Sequence, residues 1–280
     1  MVRIERERGG VQEIALTAFA EADRAQLQRW MEQVAADPQV ALNERLLAAK
    51  SPAILFVGNS YSSDVPKAFE QLAKREGRAV LVEQVTVAGR SLAQAAADAD
   101  TLAKIKRGKW DVVVLQEQSL IPAFPPAQRD AQMMPALKRL VGEVRQAGAL
   151  PVLYETWARR DGDRENAAVF PNDTFQAMDA RLSECFKAAR QTNPTLTGVP
   201  VGHAWAARMK DGKGATLYNP QDGSHPSAQG IHLAAAVFYT TFFNTPVAKA
   251  PGDIDDAVAL NALAGRLGLR QLPAYPLPAE

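Results

Sequence analysis

Cysteine is almost absent from this chain of 280 residues, which contains a single one, Cys185. A disulfide within the chain is therefore excluded, and so is a zinc site built from several thiolates. Cys185 lies in a stretch with helical periodicity, where a cysteine usually acts as a small packed side chain. We interpret it as part of the core rather than as a nucleophile.

Excess charge of either sign is also lacking, because 32 basic and 31 acidic residues leave a formal net charge of +1. Proteins dedicated to nucleic acids present a basic surface that displaces counterions, so no nucleic-acid partner is expected. No apolar run is long enough to span a bilayer, and no membrane span is expected either.

The first ten residues, MVRIERERGG, contain none of the apolar segment that a signal peptide needs. With this N-terminus the chain is expected to stay in the cytoplasm. An exported protein whose leader had been removed would begin in a similar way, so the sequence leaves the compartment open.

Three familiar loop motifs are lacking as well. The turn after the first predicted strand, residues 58–63, reads GNSYSS. It has neither the glycine pattern of a dinucleotide-binding loop nor the lysine of a phosphate-binding loop. No Gly-x-Ser-x-Gly follows a predicted strand, which excludes the nucleophile elbow of the α/β-hydrolases.

What the sequence does have is a regular alternation of apolar, β-branched runs with amphipathic stretches. This pattern is typical of a parallel sheet covered by helices on both faces, so we predict an α/β fold, a three-layer α/β/α sandwich with a five-stranded parallel sheet. The predicted strands are 53–57, 79–87, 111–115, 150–154 and 196–201, and the predicted helices that follow them are 65–76, 91–107, 127–147, 174–191 and 227–243.

The chain divides into three segments in this interpretation. Residues 1–50 are predicted to form an N-terminal helical extension whose first helix covers 14–34. Residues 51–250 carry the α/β domain. Residues 251–280 are expected to add one helix and a proline-rich tail packed on that domain.

A serine lies directly after the first predicted strand, in Gly58-Asn59-Ser60-Tyr61-Ser62. In sheets of this kind the active site lies beyond the carboxyl ends of the strands. Ser60 also precedes a predicted helix, whose free N–H groups favour a developing oxyanion. The alternative is that Ser60 or Ser62 only caps the helix, and this segment alone does not decide between the two.

A second segment, Asp222-Gly223-Ser224-His225-Pro226, supplies what a nucleophilic serine needs. A serine hydroxyl is a weak nucleophile without an adjacent base, and a histidine serves as one near neutral pH. The histidine in turn needs an acceptor on its other ring nitrogen, which Asp222 can provide from the same turn. The alternative is a polar turn with a capping aspartate.

These segments, in this order, resemble the sequence blocks of the SGNH (GDSL-type) hydrolases. Gly58–Ser62 is similar to the first block, although Asn59 stands where many members have aspartate, and Val87–Ser91 is similar to the second. Asp222–His225 matches the last block. The resemblance implies a flavodoxin-like sandwich, Ser60 as nucleophile, Asp222 and His225 as its partners, and the backbone N–H groups of Ser60 and Gly89 as oxyanion donors.

The third block departs from the family pattern. The family usually places Gly-x-Asn-Asp after the third strand, whereas this chain has Gln116-Glu117-Gln118-Ser119. By position, Gln118 would replace the asparagine as the third oxyanion donor, with Gln116 as the alternative. Glu117 is interpreted as a structural or hydrogen-bonding group rather than a catalyst, because side chains alternate along a strand.

Four further residues are predicted to bind substrate: Asn59, Arg90, Trp157 and Arg159. Trp157 and Arg159 follow the fourth predicted strand and so reach the same edge of the sheet. The alternatives are a packed tryptophan and solvated arginines, with Arg90 in a surface ion pair.

Two other histidines have structural interpretations. His203 is expected to be a hydrogen-bonded residue in the wall of the site, and His232 a satisfied histidine of a buried helix. A metal site formed by Asp222, His203 and His225 would leave Ser60 unexplained, so no metal is expected.

The sequence therefore predicts a serine acyl-ester hydrolase that needs no cofactor. Among SGNH proteins, removal of acetyl groups from carbohydrates or other small esters is frequent, so the resemblance favours a short acyl group on a glycan or small molecule. One alternative is a non-catalytic or acyl-transferring relative that binds a glycan or an acyl carrier, which the altered third block motivates. Another is a flavodoxin-like protein that binds a nucleotide or flavin.

Overall fold

The N-terminal segment begins with strands rather than with a helix. A computed structural model describes residues 2–5, 11–14 and 21–270 of the chain. Strands β1 (Val2–Glu5) and β2 (Val11–Ile14) pair antiparallel. The prediction that a helix begins at residue 14 is therefore wrong, and helix α1 covers Glu21–Ala36.

Helix α2 (Pro38–Ala48) joins the N-terminal segment to the rest of the molecule. Asp37 caps it by accepting a hydrogen bond from the Gln39 N–H, and Pro38 takes the first helical position, where its missing N–H costs nothing. Leu42 and Leu46 then enter the same core as the α/β domain. Helix α2 thus packs on the α/β domain.

Five parallel strands form the central sheet, in the order β4-β3-β5-β6-β7. This order is that of the flavodoxin-like doubly wound sheets, and the predicted α/β fold is confirmed. The last strand is shorter than predicted, because Val201 already begins a helix. The strands are β3 (Ala53–Gly58), β4 (Leu81–Thr86), β5 (Val112–Leu115), β6 (Leu150–Tyr154) and β7 (Thr197–Val199).

Each helix predicted after a strand is present, although one of them is divided, whereas α8 (Val201–Lys210) was not predicted. The helix predicted over 91–107 is divided at Asp98, whose carboxylate accepts from the Thr101 N–H and starts a new helix. Thr174 caps the helix that follows β6. The helices are α3 (Val65–Arg75), α4 (Leu92–Ala97), α5 (Ala99–Lys106), α6 (Pro126–Gln146), α7 (Phe175–Thr192), α8 (Val201–Lys210), α9 (Ala228–Phe243) and α10 (Ala257–Gly268).

Two apolar cores lie on the two faces of the sheet, as the alternation of side chains along a strand requires. In β3, Ile54 and Phe56 pack with α2, α3, α8, α9 and α10, whereas Leu55 and Val57 pack with α4 to α7. Helix α9 is buried on almost all sides. Within the described ranges, no helix is both long and apolar enough to cross a membrane. The proline-rich tail predicted over 272–280 lies outside the described residues.

Candidate active site

The structure brings Ser60, His225 and Asp222 together at the carboxyl edge of the sheet. Ser60 Oγ lies 2.9 Å from His225 Nε2, and His225 Nδ1 lies 2.8 Å from Asp222 Oδ2. An ionised carboxylate only accepts hydrogen bonds, so its contact places the ring proton on Nδ1 and leaves Nε2 free to accept from the serine. This is the geometry of a nucleophile, a base and an orienting carboxylate.

The turn that carries Asp222 and His225 is built by its own backbone. Asp222 Oδ1 accepts from the N–H groups of Ser224 and His225, at 2.7 and 2.9 Å. Partial burial acts to raise the pKa of Asp222, but these two N–H groups and the His225 side chain outweigh it and lower that pKa below its usual value. Asp222 is therefore a carboxylate at neutral pH.

Gly223 is required at this turn for two reasons. Its φ is +61°, a conformation that side chains disfavour, and an added Cβ would lie 3.0 Å from the Arg160 guanidinium. The Arg160 N–H donates to the Gly223 carbonyl at 2.8 Å. This hydrogen bond attaches the turn to the connection that follows β6.

An aromatic stack supports the turn from below. Trp157 lies between Tyr61 and Trp205, with ring centroids 4.8 and 4.1 Å away, and its Nε1 donates to the Ser224 carbonyl at 2.9 Å. Tyr61 and Ser224 share a hydrogen bond of 2.5 Å between their hydroxyls. Trp157 is 0% exposed, so the prediction that it contacts substrate is wrong. Trp157 is a packed core residue that supports the turn carrying Asp222 and His225.

Asn59 has a similar supporting role. Its Oδ1 accepts from the Tyr61 N–H and from Gln116, and its Nδ2 donates to the Arg90 carbonyl at 2.9 Å. The side chain is fully used and the residue is 2% exposed, so the prediction that Asn59 binds substrate is wrong. Its contact with Arg90 fixes the loop that carries Gly89 beside the serine.

The two backbone groups predicted as oxyanion donors are both unengaged. Within the part of the chain that the structure describes, neither the Ser60 N–H nor the Gly89 N–H donates a hydrogen bond. Gly89 is exposed and has φ of +69°. That conformation explains glycine at this position.

Gln116 does not serve as the third donor. Its Oε1 accepts from the Asn59 N–H at 2.8 Å and from the Ser62 hydroxyl at 2.9 Å, and its Nε2 donates to Asn59 Oδ1 and the Glu117 carbonyl. Every polar atom of the amide is engaged in the interior. Gln116 as the alternative oxyanion donor is therefore wrong.

The Gln118 side chain is partly exposed, and only one of its two terminal atoms is hydrogen-bonded. Its Oε1 accepts from the N–H groups of Leu120 and Ile121, at 2.8 and 3.3 Å. These contacts identify that atom as the oxygen and leave Nε2 as the donor. Among the described residues, Nε2 makes no hydrogen bond, so it remains available to an incoming group.

Glu117 connects the two loops that carry the predicted donors. Its Oε1 accepts from the Leu92 N–H at 2.9 Å and from the Gln118 N–H at 2.7 Å. Its Oε2 is buried and has no partner among the described atoms. Burial raises the pKa of Glu117 to about 7, although the two N–H groups act to lower it.

The two arginines predicted to bind substrate differ. Arg90 pairs with Asp98 at 3.0 Å and donates to Thr101 at 3.2 Å, which is the ion-pair alternative. Arg159 lies between Ser119 and Glu165, at the same sheet edge as Ser60. It stays a candidate for substrate contact.

The other histidines lie apart from the proposed triad. His203 is exposed on α8 rather than in a wall of the site. His232 is buried in α9, where Nε2 lies 2.8 Å from Asn261 Oδ1, which confirms its interpretation as a satisfied histidine. Across the described ranges, no three His, Cys, Asp or Glu side chains are grouped so as to hold a metal ion.

Sequence reasoning overlooked Tyr61 and Ser224 as supports of the site. Both residues adjoin the proposed catalytic residues in sequence, and this adjacency was the only available signal. Their hydroxyl contact joins segments that are 163 positions apart, and a single sequence does not reveal such a pair.

Solved structures share this fold, although no family model and no curated protein matches the sequence. A DUF4886 family protein from Bacteroides uniformis is similar, with a TM-score of 0.64 and 18% identity over 77% of this chain and 94% of that one. An acetyl xylan esterase, AlAXEase, matches with a TM-score of 0.51 and 11% identity over 67% of this chain and 98% of its own. At these identities the two likenesses show that this chain shares its fold with both solved structures.

Proposed function

We propose that this protein is a serine acyl-ester hydrolase of the SGNH type. The observation that carries the proposal is the continuous contact from Ser60 Oγ through the His225 ring to Asp222, at 2.9 and 2.8 Å.

The reaction follows from the geometry. His225 Nε2 takes the proton of Ser60 as Oγ attacks the ester carbonyl, and Asp222 stabilises the imidazolium that forms. The N–H groups of Ser60 and Gly89 and the Gln118 amide would hold the oxyanion, each contributing about 3 kcal/mol. The imidazolium then protonates the leaving alkoxide. A water activated by the same base releases the acyl group and restores Ser60.

A short acyl group on a small or carbohydrate alcohol is the substrate we propose. The His225 and Asp222 side chains are 43% and 40% exposed, so the site opens directly to solvent. An open site gives water access to an acyl-enzyme and offers little enclosed apolar surface to a long chain. The acetyl xylan esterase of the same fold makes acetylated sugars the first natural esters to try.

The test is hydrolysis of p-nitrophenyl acetate by wild type, Ser60→Ala and Ser63→Ala. Ser63 is exposed in the same turn and serves as the matched control. We expect Ser60→Ala to lose at least about 10³-fold in kcat while its thermal unfolding is unchanged, and Ser63→Ala to behave as wild type. A Ser60→Ala protein with full activity would overturn the proposal.

A fluorophosphonate probe separates this function from a binding protein or an acyltransferase. Labelling of Ser60 requires a live nucleophile, and a non-catalytic relative would remain unlabelled. An acyltransferase would be labelled but would deliver the acyl group to an added alcohol or sugar in preference to water. We expect labelling together with release of free acid.

A further inference from the structure

Arg159 carries a positive charge close to the proposed triad. Its Nη2 lies 3.5 Å from the hydroxyl of Ser119, the neighbour of Gln118. The guanidinium also lies beside the Tyr61 hydroxyl, and the Tyr61 ring is 5.3 Å from that of His225. Arg159 therefore occupies the side of the site formed by the segments after β5 and β6.

The charge of Arg159 is incompletely satisfied. Its side chain is 17% exposed, and Glu165, the carboxylate 2.5 Å from Nη1, is 65% exposed. Its Nε is buried and has no acceptor among the described residues. A cation that is largely removed from water needs several hydrogen-bonded acceptors, and a single solvated carboxylate supplies few of them.

Arg181, in helix α7, shows what a completed pair looks like in the same region. Two of its nitrogens bind the two oxygens of Asp173, at 3.0 and 2.6 Å, and its Nε donates to the Ala123 carbonyl. The Asp173 side chain is 3% exposed, so the carboxylate of this pair is buried. Arg159 lacks such a buried carboxylate, and its Nη2 lies 3.5 Å from the Ser119 hydroxyl instead.

We propose that Arg159 binds a carboxylate group of the ester substrate, and that Glu165 occupies this place when no substrate is bound. The inference rests on the proposed hydrolase function and specifies its substrate class. The fork of a guanidinium fits a carboxylate better than any neutral group of an ester. The Ser119 and Tyr61 hydroxyls stand beside the same position.

Matched pairs of esters test this inference. One pair places the charge on the leaving group: 4-acetoxybenzoate and its methyl ester. The other places it on the acyl group: the p-nitrophenyl monoester of adipic acid and p-nitrophenyl hexanoate. The readout is the selectivity, the ratio of kcat/KM for the anionic ester to that for its neutral partner.

Two substitutions should move the selectivity in opposite directions. Arg159→Gln removes the cation and should lower the selectivity in one of the two pairs about tenfold or more. Glu165→Gln removes the competing carboxylate and should raise it several-fold in the same pair. Arg164→Gln makes the same change of charge on an exposed residue of the same connection and should leave the selectivity unchanged.

A structural role would lower both rates of a pair together, so equal losses on charged and neutral esters would overturn the inference. A fall in selectivity with Glu165→Gln would also overturn it. The proposed hydrolase function fails separately, if Ser60→Ala hydrolyses these esters as fast as wild type.

Equilibrium binding keeps the inference testable without turnover. In the Ser60→Ala background, calorimetry should show that 4-acetoxybenzoate binds more tightly than its methyl ester, and that Arg159→Gln abolishes this preference. Equal binding of the two compounds in the presence of Arg159 would overturn the inference whatever the catalytic result.

Discussion

The Asp222–His225 turn and the Gln116–Ser119 segment both face the proposed site, but they are built in opposite ways. The turn is organised by near neighbours, since Asp222 accepts from two backbone groups within three residues. The segment after β5 is organised by distant partners, with Gln116 and Glu117 reaching the ends of β3 and the start of α4. Local hydrogen bonds place the proposed acid and base and also hold the Gln118 amide, whereas long-range ones place the loop that carries Gly89.

The largest effect on kcat is expected from Asp222→Asn, a change in the Asp222–His225 turn. The amide no longer stabilises an imidazolium and favours the wrong tautomer of His225, so kcat should fall about 10³-fold or more. Hydrolysis of p-nitrophenyl acetate measures it. Asp161→Asn, an exposed aspartate nearby, is the control, and a loss below tenfold in Asp222→Asn would contradict the assigned role.

The next largest effects should distinguish Gln118, which is proposed to act in catalysis, from Gln116, which supports the structure. Gln118→Ala should lower kcat about 10²-fold, the usual cost of one oxyanion donor, with little change in unfolding. Gln116→Ala strips partners from several buried groups of Asn59 and Ser62, and should lower the free energy of unfolding by about 2–4 kcal/mol. Urea titration and steady-state kinetics on both variants check this. An unchanged kcat in Gln118→Ala would remove it from the proposed oxyanion hole.

Glu117 should make stability depend on pH. Burial raises its pKa from 4.5 to about 7, so the folded protein holds this proton more tightly than the unfolded chain does. Its contribution to stability is therefore full below about pH 4.5 and falls as the pH rises to about 7, by about 3 kcal/mol in all.

Glu117→Gln, which resembles the protonated form, should lack this loss. The difference in unfolding free energy between wild type and Glu117→Gln should thus change across that pH range and be flat above it. A constant difference from pH 4.5 to 7.5 in urea titrations would contradict a raised pKa for Glu117.

The smallest effect concerns the space that Gln116 occupies. A Cβ on Gly58 would lie 2.4 Å from Gln116 Oε1 and 3.0 Å from Ser62 Oγ. Gly58→Ala should therefore cost about 2 kcal/mol of unfolding free energy through overpacking. Gly142→Ala is the matched control, because it lies within α6 with open space around it and should stabilise the protein by up to about 1 kcal/mol. Thermal unfolding of the two variants should shift in opposite directions.

The sheet and the turn could be predicted because their signals are local. Strand β3 follows from an unbroken apolar run that ends in glycine, and the pairing of Asp222 with His225 follows from their spacing on one turn. The role of Gln116 could not be predicted, because it depends on the register of two strands. Val57 pairs with Leu115, so Gln116, the first residue after β5, meets Gly58 across the sheet.

The burial of Trp157 could not be predicted either, because it also depends on distant partners. Its position after β6 places it at the right edge of the sheet, but only the packing of Tyr61 and Trp205 on its two faces removes it from solvent. Asn59 likewise stands next to the nucleophile in sequence and yet points into the scaffold. Proximity to a functional residue indicates an edge of the sheet, not the direction of a side chain.

Asp222 and His225 contact each other within one turn of four residues. The proposed triad therefore needs only one contact between distant parts of the sequence, the one between Ser60 and His225. The connection that leaves β6, residues 155–174, supports the His225 turn through Trp157 and Arg160. The same connection carries Arg159 and Glu165. Exchanges at Arg159 and Glu165, which spare Trp157 and Arg160, would in this proposal alter which esters bind while the proposed triad stays as it is. The fold thus separates the residues of the proposed triad from those that would select the substrate.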